Sequence, residues 1–294
     1  MKYVLVDGFN LAFRMFHGMP VFSRRDGLPV NAIMGWVRSI WKLQELETPC
    51  TIAVFFDKAG SRRHLELHEG YKAHRPEMPE ALARQIPFLK EVTPFLGARV
   101  VEEEGVEADD LIASAARALA AQGSEVRIAS SDKDFAQCVD AHVHLLIPTQ
   151  AGATKAGWAK LDAVGVQEKF GVPPEKIVDL LSLTGDAVDN IPGVPGVGPK
   201  TALAWLLAYG DIAGLLTALD KVEPARFREV LAGARELLRL NQQLIRFRSD
   251  FAVDCSAPAK PDDNAARAFF ERMEMRAILK TFDQRAEAQL ELFE

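Results

Sequence analysis

The first half of the chain alternates two residue patterns, and that alternation restricts its fold more than any other feature. Apolar runs rich in β-branched or aromatic residues occur at Tyr3–Val6, Ile52–Phe56, Arg99–Val101, Val126–Ala129 and Val143–Ile147. Helical spacings fall between them at Asn31–Glu45, Pro79–Phe95, Ala108–Ala121 and Asp134–Val139. In the first of these, Ile33, Val37, Ile40 and Trp41 share one face. Strands alternating with helices predict a parallel sheet covered on both faces. From about Leu161 the strand patterns stop and the chain reads as helical, broken by the Gly/Pro cluster Ile191–Pro199 and by Ser256–Asp263. The expectation is an α/β domain over residues 1–160 and a helical domain over 161–294. Two domains also suit this length, at roughly 150 residues each.

The strand-like runs end in acids. Asp7 and Asp57 each close an apolar run, and Asp132 and Asp134 follow a third. Glu107, Asp109 and Asp110 open the Ala108–Ala121 helix, and Asp186 and Asp189 stand just before the glycine cluster. In open α/β sheets, residues beyond the carboxyl ends of strands converge on one crevice. One Asp after a strand is ordinarily a turn former or helix cap, and first-turn acids suit the helix dipole. Nine acids meeting in one crevice would repel, and no comparable run of Lys or Arg is interleaved with them in sequence, so divalent cations are the natural compensation. An all-oxygen donor set favours Mg²⁺ or Mn²⁺ over zinc. His64 and His68 offer a competing zinc pair at helical spacing, without the H-E-x-x-H pattern. His142 and His144 alternate on a strand and read as structural. Two metals about 3.5–4 Å apart suit phosphodiester hydrolysis. No Ser–His–Asp spacing or reactive cysteine supplies a nucleophile, which leaves an activated water.

Gly193 to Ala202 nearly matches a phosphate-binding P-loop, but Pro199 stands where its Lys belongs and no strand precedes it. A hairpin between helices Ile177–Leu183 and Lys200–Tyr209 fits better. Pro199 suits a first helical turn, and glycines let backbone approach a phosphate at a helix N-terminus. Over Lys58–Arg75, five cations (Lys58, Arg62, Arg63, Lys72, Arg75) face two acids (Glu66, Glu69), in a chain of formal net charge −6. Tyr71 among them offers a surface for base stacking, and a basic strip beside a carboxylate crevice suits a polyanionic substrate.

Composition narrows the remaining classes. Hydrophobic residues make up 48% and charged residues 26%, ordinary for a globular protein. No apolar run approaches the ~18 residues needed to span a bilayer, and the N-terminus lacks a signal-peptide core. Cys50, Cys138 and Cys255 show no metal spacing and read as reduced thiols, as expected of a cytoplasmic chain.

In order, the residues resemble the 5′ nuclease domain of bacterial DNA polymerase I and the wider flap endonuclease family. The motifs are Val6-Asp-Gly8 with Arg14, Phe56-Asp57, Gly70-Tyr-Lys-Ala-His-Arg75, Gly105-Val-Glu-Ala-Asp-Asp110, Ser131-Asp-Lys-Asp134, and Thr184 to Val194 running into Gly196-Val-Gly-Pro-Lys200. The resemblance implies a PIN-like parallel-sheet nuclease core with a helical arch from Lys58–Arg75 onward, then an all-helical helix–hairpin–helix domain gripping duplex DNA. It implies a first metal site of Asp7, Asp57, Glu107 and Asp109 with Asp110 at or near it, and a second of Asp132, Asp134, Asp186 and Asp189. Lys72 and Arg75 would hold the scissile phosphate, and Arg14, Arg63 and Tyr71 would also touch DNA. Gly196, Val197, Gly198, Lys200 and Thr201 would meet duplex phosphates around a K⁺ ion.

Phe9 and Asn10 depart from the small polar residues usual after the first Asp-Gly, while all nine acid positions are kept. The expected activity is that of a freestanding, monomeric 5′–3′ exonuclease and flap endonuclease in DNA replication and repair. It would act with two Mg²⁺ on 5′ flaps, nicks and 5′ ends, with RNA primers as further substrates. A structure-specific DNA-binding protein of little turnover and a toxin-type ribonuclease are the alternatives. The hairpin and the chain length count against the ribonuclease.

Overall fold

The computed structural model describes residues 1–149, 157–255 and 260–291, with side chains through 287. Strands β1 (Lys2–Asp7), β2 (Thr51–Phe55), β3 (Ala98–Val101), β4 (Glu125–Ala129), β5 (Val143–Pro148) and β6 (Trp158–Leu161) form one sheet, ordered β3-β2-β1-β4-β5-β6. The first five strands are parallel and occupy the expected apolar runs. The sixth, antiparallel to β5, carries too little apolar sequence to announce itself.

Helices α1 (Gly8–Gly18), α2 (Asn31–Glu47), α3 (Arg62–Leu67), α4 (Glu80–Ala83), α5 (Ile86–Phe95) and α6 (Ala108–Ala121) connect these strands, with a 3₁₀ turn at Lys133–Cys138. After the sheet come α7 (Ala163–Phe170), α8 (Ile177–Thr184), α9 (Pro199–Tyr209), α10 (Ile212–Thr217), α11 (Phe227–Gly233), α12 (Arg235–Ile245), α13 (Asp263–Arg272) and α14 (Arg276–Glu291). A two-stranded ribbon, β7 (Gly185–Asp186) and β8 (Ile191–Pro192), interrupts the helical stretch.

Side-chain alternation along the strands builds two cores. Leu5, Ala53 and Phe55 point to the face covered by α6 and by Val178, Leu181 and Leu206 of the later helices. Val4, Val6, Ile52 and Val54 point to the other face, beneath α1, α2 and α5. Helices α13 and α14 return to that second face, where Phe270 meets Trp41 edge-on at 6.0 Å and Phe282 stacks on Trp41 at 6.3 Å. The expected helical unit 161–294 is therefore divided in its packing between the two faces.

Three helical expectations change. Pro79–Phe95 breaks into α4 and α5, because Pro87 has no N–H to donate to the Ala83 carbonyl and stands instead in the first turn of the second helix. At this break Gln85 is fully buried, and its Oε1 accepts from the Ala32 and Ile33 amides at 2.9 and 3.3 Å, capping α2 from outside. Helix α1, not foreseen, starts where the Asp7 carboxylate accepts the Asn10 amide at 3.1 Å. The arch segment is short: α3 spans six residues and gives way to turns over 68–75. Of the expected break at Ser256–Asp263, residues 256–259 lie outside the described residues. Among the described residues no helix is long and apolar enough to cross a membrane.

Candidate active site

The sheet order reverses between β1 and β4, and their register sets Asp7 opposite Phe55 and Val6 opposite Ala129. Chain leaving β1, β2 and β4 therefore brings its acids to one crevice at the switch point. Gly8 permits this closeness, since a Cβ there would meet the Phe55 carbonyl oxygen at 2.5 Å. Asp7 is buried and accepts from Asn10 N and from Ser130 Oγ at 2.9 Å. Asp57 Oδ1 accepts the Ala108 amide at 2.6 Å, at the start of α6. Asp132 caps the 3₁₀ turn by accepting the Asp134 amide at 2.9 Å. These acids serve the capping role that single strand-end acids usually have, and they also face one another.

Burial is the main electrostatic fact of the crevice. It raises the Asp7 carboxyl to about 7, with the Asp132 and Asp57 charges adding to it and the two hydrogen bonds opposing. Burial, then the Asp7 and Asp132 charges, pushes Asp109 well above the ordinary range. Asp134 is pushed well up by burial and by Asp132, Asp186 and Asp189. Asp57 and Asp132 rise too, burial leading. The two expected groups of four thus form one continuous repelling cluster.

The reading that no basic residues are interleaved with these acids is overturned in space. Lys72 Nζ donates to Glu107 Oε1 at 2.7 Å and lies 4.0 Å from Asp189 Oδ2. Arg75 Nη2 donates to Asp189 Oδ1 at 2.6 Å, and Lys133 Nζ to Asp186 Oδ2 at 2.9 Å. Burial works against the Lys72 charge, but Glu107, Asp109 and Asp189 outweigh it and hold its pKa above the ordinary lysine value. Folding of the 68–75 turns onto the 185–193 ribbon makes these pairings. Lys72 N donates to Asp189 O at 3.0 Å, Asn190 Nδ2 to Gly70 O at 2.7 Å, and His68 Nε2 to Asn190 O at 3.2 Å. Lys72 and Asn190 both adopt positive φ, 56° and 57°, at this junction.

Other expected residues take different places. Asp110 points away from the crevice, and its Oδ1 accepts the Arg248 amide at 2.7 Å. Tyr71 is buried rather than free for base stacking. Its hydroxyl donates to Glu107 and Asp189 at 3.2 and 3.3 Å, and its ring stacks on His64 at 4.5 Å. Burial and the Glu107 charge push the phenol far up, so it remains a donor. The zinc pair fails, because His64 is buried with Nε2 donating to Leu244 O at 3.1 Å while His68 serves the ribbon. Arg63 Nη2 donates to Gln243 O at 2.8 Å. Arg14 donates to Thr149 O at 3.0 Å and lines a cavity of about 790 Å³ with Arg38, Lys42 and Trp158, reaching Ser131 at the crevice. Asn10, whose Oδ1 accepts from Ser131 N and Oγ, and Lys133 were missed; Lys133 was visible only as the cation between two acids.

Among the described residues no three His, Cys, Asp or Glu side chains close around one point, and cations pair with Glu107, Asp189 and Asp186. The donor set still fits divalent ions. It is made of carboxylate oxygens, and Asp134 Oδ1 is buried with no hydrogen-bond partner.

The hairpin divides its glycines by task. Gly185 has φ +75°, and a Cβ on Gly193 would meet the Thr184 carbonyl oxygen at 2.3 Å, so both are packed into the turn. Gly196, Gly198 and Lys200 are exposed at the start of the 11-residue helix α9, with open space around a Cβ at Gly198. Thr201 is half-buried, and Val197 buries its side chain in the core, leaving only its backbone to a ligand.

Known proteins bear on this geometry. Residues 2–171 match a family described as 5′–3′ exonuclease, N-terminal resolvase-like domain, and residues 172–265 match 5′–3′ exonuclease, C-terminal SAM fold. A 5′–3′ exonuclease of Aquifex aeolicus is 34% identical over 95% of this chain and 94% of its own length. The DNA polymerase I of Rhizobium leguminosarum is 39% identical over 87% of this chain, and that of Thermus aquaticus 38% identical over 96%. The chain spans 25% and 33% of those two relatives. In fold it is similar to T5 5′-exonuclease with divalent zinc ions bound (TM-score 0.69, 24% identity, 92% of this chain and 99% of that one). It is also similar to the catalytic core of Rad2 in complex with DNA substrate (TM-score 0.61, 15% identity, 92% and 86%). This chain belongs to the 5′–3′ exonuclease family.

Proposed function

We propose that this chain hydrolyses DNA phosphodiester bonds at 5′ flaps, nicks and 5′ ends in replication and repair, releasing short 5′-phosphorylated products. It works as a cytoplasmic monomer with two Mg²⁺, for which Mn²⁺ substitutes, and it removes RNA primers as well as DNA. The observation that carries this reading is the crevice at the β1/β4 switch point. Repelling carboxylates gather there beneath Lys72 and Arg75, and Asp134 keeps an unpartnered oxygen.

Asp7, Asp57, Glu107 and Asp109 would hold one ion, and Asp132, Asp134, Asp186 and Asp189 the other, with Asp110 bracing the 248 segment. When bound, divalent ions acidify a water and stabilise charge on the departing 3′ oxygen. Lys72 and Arg75 hold the scissile phosphate, and Tyr71 orients Glu107 and Asp189 through its retained proton. Backbone N–H groups of Gly196, Val197 and Gly198, with Lys200 and Thr201, contact duplex phosphates, and carbonyl oxygens of the same hairpin frame a K⁺ site. Arg14 and Arg63 supply further cationic contacts.

End-labelled flap, nicked and single-stranded substrates in Mg²⁺, Mn²⁺ and EDTA test the proposal. Cleavage is expected with either ion and none with EDTA. Asp57→Asn should abolish cleavage yet retain flap binding in Ca²⁺, and Lys72→Ala should lose cleavage while keeping metal-induced stabilisation. Tight flap binding by the wild type with no cutting in either ion overturns the enzyme in favour of a DNA-binding protein.

A further inference from the structure

Among the described residues three cations stand among the crevice acids, and one of them is carried by the crevice itself. Lys72 and Arg75 arrive from the 68–75 turns. Lys133 lies between Asp132 and Asp134 on the 3₁₀ turn, and its Nζ donates to Asp186 Oδ2 at 2.9 Å. Asp186 is buried, and its other oxygen accepts the Val188 amide at 3.0 Å. The Lys133 side chain is 40% exposed, so it has an open way to solvent on a flexible stem. One ammonium answers here to three carboxylates, Asp132, Asp134 and Asp186, and Asp134 Oδ1 remains buried without a partner. Fully ionised, the three carboxylates leave two negative charges uncompensated, the complement of one divalent ion.

We propose that Lys133 is a positioning residue whose ammonium stands in for a divalent ion at Asp186 and yields its place when the ion binds. The inference rests on the metal-dependent reading above. In the metal-free protein Lys133 keeps Asp186 aimed toward Asp134, where bare carboxylates would push apart. The same charge repels an incoming cation, so Lys133 sets metal affinity below what the acids alone would give. An ordinary structural ion pair implies the opposite sign. Without its partner Asp186 would lose its aim, and metal affinity would fall.

The test uses the full chain as wild type, Lys133→Met and Lys133→Arg, titrated with Ca²⁺ and Mg²⁺ by calorimetry in the absence of DNA, with thermal unfolding followed in EDTA. Met keeps the stem and loses the charge, whereas Arg keeps the charge. Lys133→Met should bind Ca²⁺ at least tenfold more tightly, the effect of removing one unit charge about 6 Å from a divalent ion even at the dielectric of bulk water. It should also melt lower in EDTA, and Lys133→Arg should restore the wild-type affinity. Should the Met chain not fold, Lys133→Gln makes the same comparison. Equal or weaker Ca²⁺ affinity in the charge-free variant overturns the exchange. A wild type that binds neither ion overturns the metal-dependent reading itself, which separates the two failures.

Discussion

Asp134 buries an oxygen that no donor meets, while its amide is fixed by Asp132 and its neighbours are acids. Above its raised pKa that charge opposes folding. Asp134→Asn should therefore stabilise the metal-free protein by about 1–3 kcal/mol at pH 8, the range of an unsatisfied buried polar group. At pH 5 the gain should shrink, because the native carboxyl takes up a proton as pH falls through its raised pKa. Urea unfolding in EDTA at the two pH values measures it, and the same substitution should reduce the stabilisation by Mg²⁺. The acids were legible in sequence because strand ends advertise them. Their cations were not, because Lys72 is 35 residues from Glu107 and Arg75 is 114 from Asp189. Asp109 and Asp110 show a second limit. Neighbours on an α-helix point roughly 100° apart, so only one of them faces the crevice, and the sequence does not say which.

Among the elements, the hairpin between α8 and α9 separates structure from recognition. Gly193→Ala puts a methyl group against Thr184 O and should cost several kcal/mol, in the class of severe backbone conflicts, with ribbon and acids displaced together. Gly198→Ala meets open space and should stay within about 0.5 kcal/mol of wild type. Gly198→Asp should fold equally well yet bind duplex DNA more weakly, most of all at low salt. Denaturant midpoints and flap affinities in Ca²⁺ across a salt series distinguish these outcomes. Five strands, the helix at Ala108–Ala121 and the hairpin were readable from period and punctuation. The α4–α5 break and α1 were not. Pro87 sits within an apolar periodicity that continues across it, and the start of α1 hides in the same Asp-Gly that ends β1.

For the whole molecule, the crevice makes stability depend on pH and metal together. An unfolded Asp ionises near ~3.9. Native Asp7 holds its proton to about 7, and Asp109 and Asp134 are shifted the same way. Between those values the folded chain binds more protons than the unfolded one, so these groups lower stability as pH rises from about 4 to 7. In EDTA, Asp7→Asn should remove part of that decline, read as the difference between the two chains' unfolding free energies across the range. Mg²⁺ should offset it, since a site saturated at ~100 times its dissociation constant contributes about 2.7 kcal/mol. No Mg²⁺ effect at pH 7.5 would contradict the clustered acids.

The return of α13 and α14 to the second face of the sheet has a colloidal consequence. A piece ending just after Leu161 would keep all six strands of the main sheet and most of the acids, and would look on paper like a minimal catalytic unit. It would also bare Trp41 and the apolar surface that Phe269, Phe270 and Met273 now cover. Open apolar patches beyond a few hundred Å² are aggregation liabilities. Such a piece should come out of solution before its chemistry could be assayed, so a soluble minimal version must carry the last helices along.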